Sequence, residues 1–437
     1  MVSTELYRLS ACEIRDLLRS NTITVEEYAK SLLSRVSARD NTVKAWVYLS
    51  PEYVLEQARA LDKTLKDNRG PLFGIAIGIK DIMNTKDMPT EYGSPIYKGN
   101  NPTFDSAAVG ILRAAGALIF GKTTTTEFAA VQKGTKTANP HNPAHTPGGS
   151  SSGSAAAVAD FQVTLSVGTQ TAGSIVRPAS FNGIYGMKPT WNSISPEGEK
   201  TFSIHNDTFG FFARTVKDLE LFADIFSLQD DEMPRSVDLK ESVFAVLNPT
   251  DILGEGSKAA LGSAAQLLRD SGARVEMIDL PDIFAKIIDM HTEILAHDGR
   301  IAFYKEYRLA PEKLNSQLIE YVTNKHQLSR KNYVMYLEES SSLRPQMDRL
   351  LSGYTALIAP STLDAAPQGL EYTGNPVCNS LWTALHVPVI NIPGFQSSDM
   401  PVGVSLIAPR YHDRQLLKVC EKVGEVFTRN GGWTSKV

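Results

Sequence analysis

The sequence predicts an α/β layered fold in which at least part of the sheet is parallel. Three observations carry this. Residues 242–247 and 274–278 have strand patterns and bracket a helix-patterned stretch at 257–270, the alternation of a strand–helix–strand unit. Short apolar runs at 73–79 (FGIAIGI) and 117–120 have the length of buried strands. The composition also permits a large core, since 42% of the 437 residues are hydrophobic and only 21% charged.

Taken in order, Ser10-Ala11-Cys12-Glu13 and Thr24-Val25-Glu26-Glu27 are capping-box patterns, each predicting the start of a helix. A third helix is expected from Ser50, with Pro51 in its first turn, to about Lys66. The 73–79 strand ends in Lys80-Asp81. A lysine there has two readings. Its stem lies along apolar surface with the ammonium in water, or the amine itself is buried and its pKa falls toward a value useful for a general base. Asp105 is the expected cap of a helix over 106–115, followed by the 117–120 strand and Gly121-Lys122-Thr123. From Gly116 onward this spells a Walker-A spacing. A phosphate loop needs a strand before its first glycine and a loop between the glycines, and here both are reversed, so nucleotide binding is rejected.

Farther on, a helix is expected over 217–226, mostly helical structure over 281–350, and a strand over 356–359. A helix around 379–385, strands at 388–392 and 402–407, and a closing helix over 413–427 complete the pattern. No repeat and no Pro/Ser-rich linker divides the chain, so a single domain over 1–437 is expected. The net charge of −4, without blocks of one sign, argues against nucleic-acid or anionic-membrane partners. No apolar run is long enough to span a bilayer, and the first residues lack the apolar region of a secretory signal. The three cysteines (Cys12, Cys378, Cys420) are far apart and suggest neither disulfides nor a metal cluster. A cytoplasmic protein without metal or cofactor is expected.

The stretch from Thr146 to Pro189 is unusually small and hydroxyl-rich. Ser150, Ser151 and Ser152 follow Gly148-Gly149, and a second tight turn, Gln170-Thr171-Ala172-Gly173-Ser174, comes after an apolar segment near 163–167. A flexible linker would not carry those apolar residues between its glycines. Two small turns, each bearing serine, suggest the two lips of one buried pocket. Serine needs a neighbouring base to act as a nucleophile. Gly149 to Gly153 is formally G-x-S-x-G, which would make Ser151 an elbow nucleophile, but that elbow follows a strand. Here residues 139–147 hold three prolines, which is no central strand. His386 and His412 are the late histidines such a triad would need, yet both lie among ordinary helix or loop signals. Lys80 is the remaining candidate base.

These residues resemble the amidase signature family. Residues 74–81 (GIAIGIKD) resemble the family's lysine-bearing strand, and 116–128 (GALIFGKTTTTEF) the strand and turn that follow it. Residues 147–159 resemble the serine–glycine signature and 168–178 the nucleophile loop. Residues 381–393 (LWTALHVPVINIP) and 401–408 (PVGVSLIA) resemble the closing strands, and Ser150 precedes Ser174 by 24 positions, as in the family pattern.

The resemblance implies a central mixed, largely parallel twisted sheet covered by helices on both faces. The catalytic core would lie at about 70–230 and 355–430, with a variable helical region at about 281–350. It also implies a Ser-cisSer-Lys triad without cofactor: Ser174 as nucleophile, Ser150 as the serine on a cis peptide bond, and Lys80 as base. The backbone N–H groups of Thr171, Ala172, Gly173 and Ser174 would form the oxyanion hole. Gly149, Ser151, Gln170 and Arg177 would support the site. Three places depart from the commonest family pattern: Ser152 stands for a glycine, Gln170 for an aspartate, and Ala172 for a glycine. The implied activity is hydrolysis of a small-molecule linear carboxamide through an acyl-enzyme, with release of ammonia or an amine. Alternatives on the same fold are the glutaminase subunit of a tRNA-dependent amidotransferase, an acyl-transferring amide synthase, and a catalytically silent binding protein. A homodimer is left open.

Overall fold

The computed structural model describes residues 5–437. Both capping boxes form. Ser10 accepts from the Glu13 N–H while the Glu13 carboxylate accepts from the Ser10 N–H, opening α1 (Ala11–Arg19). Thr24 and Glu27 do the same for α2 (Val25–Val43). A short edge strand β1 (Trp46–Tyr48) precedes α3 (Pro51–Asp62), which is capped by Ser50 and ends a turn earlier than expected.

The buried strand β2 (Ala76–Lys80) then leads to α4 (Ala107–Ala114) and β3 (Leu118–Thr123). The cap of α4 is Ser106 rather than Asp105. Asp105 is engaged elsewhere, accepting from the Lys86 N–H and pairing with Arg113. The serine-rich stretch becomes α5 (Ser152–Ala159), β4 (Leu165–Gln170) and α6 (Val176–Asn182), followed by β5 (Tyr185–Lys188) and β6 (Thr208–Ala213).

Next come α7 (Val216–Ile225), β7 (Val243–Leu247), α8 (Glu255–Asp270) and β8 (Arg274–Ile278). The predominantly helical region contains α9 (Ile287–Ala302), α10 (Tyr304–Leu309), α11 (Ser316–Val322) and α12 (Arg330–Leu351). The chain closes with β9 (Ala356–Pro360), α13 (Val377–Ala384), β10 (Val389–Ser397), β11 (Met400–Ile407) and α14 (Asp413–Asn430).

All eleven strands join one mixed sheet in the order β1-β3-β2-β4-β6-β5-β10-β11-β9-β7-β8. Its parallel share is smaller than expected. Parallel pairing holds for β2 with β3, β2 with β4, β7 with β8 and β7 with β9, and the other neighbours are antiparallel. One reason is the β10–β11 hairpin. Ser398 and Asp399 both adopt positive φ, 47° and 65°, the backbone of a two-residue hairpin turn whose residues lack the usual Asn-Gly signature.

Because side chains alternate across a strand, membership of the apolar clusters shows what covers each face. Phe244, Val246, Ala356 and Ile358 join the main cluster with Leu261 and Ala264 of α8. Ala245, Leu357 and Ala359 join a second cluster with Ile287 and Met290 of α9, Met347 of α12 and Trp382 of α13. The sheet is thus covered by helices on both faces. The parallel strands β2, β3 and β4 end side by side, with Lys80 opposite Thr123 and Ile79 opposite Val167. In such sheets the crevice outside the carboxyl ends of the strands is where ligands bind. No helix of the described residues is long and apolar enough to cross a membrane.

Candidate active site

Lys80 closes β2 and is completely buried. Its Nζ lies 2.8 Å from Ser150 Oγ, 2.9 Å from Thr169 Oγ1 and 3.3 Å from the Thr169 carbonyl oxygen. All three partners are uncharged. Burial pushes the Lys80 pKa down to about 7, while the Asp207 and Glu199 carboxyls oppose that fall. The buried reading of this lysine is the one realised.

Ser150 sits at the mouth of α5. Gly148 has φ +82°, a left-handed conformation natural to glycine, and the Gly149–Ser150 peptide is cis. Arg177, itself buried, donates from Nη2 to the Gly149 carbonyl at 2.7 Å, and the Thr126 N–H donates to the Ser150 carbonyl. The first turn of α5 then passes so close to the ends of β1 and β3 that a Cβ on Gly153 would fall 2.1 Å from the Ala45 carbonyl oxygen. Only a residue without a side chain fits there. Ser151 donates to the Thr169 carbonyl at 3.3 Å and Ser152 to the Gly148 carbonyl at 2.8 Å, so both serines tie the loop together.

The second turn, 171–174, follows β4 directly. Gln170 spans it: Oε1 accepts from the N–H groups of Ile175 and Val176, and Nε2 donates to Thr383 Oγ1 at 3.0 Å. Ser174 is 7% exposed, and among the described residues its hydroxyl makes no hydrogen bond. Catalytic hydrogen bonds often tighten only once substrate is bound. The N–H groups of Thr171, Ala172, Gly173 and Ser174 likewise have no acceptor among the described residues. Donors left free at the end of a strand, beside a serine, suit a developing oxyanion.

The structure therefore joins Lys80 directly to Ser150, and Gln170 to the Ser174 loop. It places Arg177 on the Gly149 carbonyl and leaves Ser174 unbonded. His386 and His412 are not part of this group. His386 stacks on Trp191 and contacts the His205 carbonyl, and His412 contacts the Arg410 carbonyl. The Walker-like Lys122 is buried on β3, pairs with Asp81 at 3.3 Å and donates to the Met83 carbonyl, a packing role.

Several groups at the site carry no motif in the sequence. Asp207 accepts from Thr171 Oγ1 at 2.6 Å and from the N–H groups of Phe202 and Ser203. Burial raises its pKa to about 6 against the pull of those donors and of Lys80. Glu199 has a carboxyl oxygen that is buried and unpartnered, and burial followed by repulsion from Asp207 pushes its pKa up to about 8. His291 and Thr383 reach the turn from α9 and α13. Asp207 stands directly before an apolar strand, Glu199 lies outside the named strands, and His291 and Thr383 are on helices, so no shared local signal marks them.

The family model described as Amidase matches residues 27–417. A Glutamyl-tRNA(Gln) amidotransferase subunit from Carboxydothermus hydrogenoformans is 29% identical over 95% of this chain and 96% of its own length. The protein of the same name from Streptococcus pneumoniae is 30% identical over 92% of this chain and 93% of its own length. Among solved structures, one described as an amidase superposes with a TM-score of 0.86 at 28% identity, covering 96% of this chain and all of that one. The family match runs from α2 to α14 and takes in both serine-bearing turns and the lysine strand, so this chain belongs to the amidase signature family of hydrolases.

Proposed function

We propose that the protein hydrolyses the C–N bond of a linear carboxamide through an acyl-enzyme on Ser174. The observation that carries this reading is the buried Lys80 amine with only uncharged partners. A neutral amine has two N–H bonds and one lone pair. The hydroxyl and carbonyl of Thr169 accept the two N–H bonds, which leaves the lone pair to accept the proton of Ser150. Ser150 in turn draws the proton from Ser174 as its oxygen attacks the amide carbon. The tetrahedral intermediate collapses when the same proton returns through Ser150 to the leaving nitrogen. Water then repeats the sequence on the ester. The free N–H groups of Thr171, Ala172, Gly173 and Ser174 stabilise the negative oxygen at each stage, and one such donor is worth roughly 3–4 kcal/mol in other hydrolases.

The names of the curated relatives favour a second reading, in which the amide is glutamine and the chain is the amidase subunit of an amidotransferase. Two experiments separate the possibilities. Hydrolysis of a panel of aliphatic, aryl and carbamoyl amides by the isolated chain, abolished in Ser174→Ala and Lys80→Met variants that remain folded, supports the first. Ammonia release from glutamine that appears only when amidotransferase partner subunits are added supports the second. Full activity in either variant would overturn the assignment of the triad.

A further inference from the structure

In a trans peptide the C=O and the N–H point in opposite directions within one plane. Whatever holds the carbonyl of residue n therefore aims the N–H of residue n+1. In the 171–174 turn each of three successive carbonyls is held from a different part of the chain. His291 Nε2 lies 2.9 Å from the Thr171 carbonyl oxygen, Thr383 Oγ1 donates to the Ala172 carbonyl at 2.8 Å, and the Arg177 N–H donates to the Gly173 carbonyl at 3.0 Å. Gly149–Ser150 is the only cis peptide among the described residues, so all three of these peptides are trans. Their N–H groups, those of Ala172, Gly173 and Ser174, have no acceptor among the described residues.

We propose that His291 and Thr383 are positioning residues that set the direction of the oxyanion-binding N–H groups of Ala172 and Gly173. The inference rests on the proposed acyl-enzyme chemistry at Ser174. The third carbonyl is held by the ordinary first turn of α6, but the first two depend on side chains brought in from α9 and α13. His291 is buried, and a carbonyl can only accept, so its Nε2 must carry a proton. Burial pushes its pKa down to about 4, which keeps the ring neutral and this tautomer in place at neutral pH. Thr383 is itself oriented: its hydroxyl oxygen accepts from Gln170 Nε2, and of the two carbonyls within reach of its single proton that of Ala172, at 2.8 Å, is nearer than that of Asn379 in its own helix, at 3.2 Å. The glutamine at position 170 thus bears on the turn twice, through Ile175 and Val176 on one side and through Thr383 on the other. Because His291 belongs to α9, the predominantly helical region takes part in setting the geometry of the reaction centre.

The test uses a fluorophosphonate probe, whose phosphoryl oxygen occupies the oxyanion position as fluoride leaves. The second-order rate of labelling at Ser174 is compared for the wild type, His291→Leu, His291→Gln, Thr383→Val and Thr383→Ser, with melting temperatures measured alongside. Folded His291→Leu and Thr383→Val are expected to label about 10- to 100-fold more slowly. The donor-bearing His291→Gln and Thr383→Ser should recover most of the rate, which a purely structural role would not predict. Wild-type labelling rates in folded His291→Leu or Thr383→Val overturn the proposal. If His291→Leu does not fold, the Thr383 pair decides it. A wild-type protein that is not labelled at Ser174 overturns the acyl-enzyme reading itself, and the positioning role falls with it.

Discussion

At the scale of single residues, the site is an arrangement of charges held out of water. In the proposed mechanism Lys80 must be neutral to accept a proton, and burial brings its pKa to about 7. Below that pH the amine is protonated and idle, and above it the lone pair is free. The kcat/KM of amide hydrolysis is therefore expected to rise with pH and level off above about 7, as a pH–rate profile would show. Asp207 works against the fall in the lysine pKa, because a nearby negative charge favours the ammonium. An Asp207→Asn substitution should then move the ascending limb to lower pH. It should also lower the rate, since an amide cannot accept from Thr171, Phe202 and Ser203 as the carboxylate does. A limb that stays in place would show that Asp207 does not act on Lys80 electrostatically. The candidate serines and the lysine were visible in the sequence because small residues and a charge at a strand end are rare in apolar surroundings. Asp207, Glu199 and His291 were not, since a polar residue at a strand end or on a helix looks the same whether it faces a catalytic group or solvent.

Among the elements, local signals decided where helices start. The capping boxes at Ser10 and Thr24 form as their spacing implied, since the Ser/Thr and Glu side chains satisfy backbone donors of the first turn without help from the rest of the protein. Thr24→Ala should lower the free energy of unfolding by about 1 kcal/mol, seen as a lower denaturation midpoint with activity retained. Strands were less legible. β5 (YGMK) and β6 (TFGFFA) each contain glycine, and β1 is only three residues long, so none carries a clear alternating pattern. Each becomes a strand because a neighbour offers it a ladder, β6 between β4 and β5 and β1 on the edge beside β3. The helix cap assigned to Asp105 went instead to Ser106. Asp105 is drawn away by Arg113 and the Lys86 N–H, a competition that only the folded chain creates.

For the whole molecule, the sheet is completed by its last strands. β10 and β11 lie between β5 and β9, so residues near 390–407 join the half bearing the serines to the half bearing β7 and β8. A chain ending before Val389 would leave β5 and β9 with open edges and strip the cover from buried strands. It should accumulate as insoluble protein, and any soluble fraction should lack a cooperative melting transition. A cooperative transition in that truncated chain would show that the remaining strands fold without β10 and β11. Residue order was enough to establish the α/β class, the start of each N-terminal helix, the false nature of the Walker spacing and the set of small, hydroxyl-bearing turns that lines the candidate site. These depend on neighbours within a few residues or on rare residue types. Long-range packing settled the balance of parallel and antiparallel pairing, the burial that brings Lys80 near neutrality, and the convergence of α9 and α13 on one turn. Those outcomes come largely from contacts between residues far apart in the chain, whose energies exist only once the sheet has closed around them.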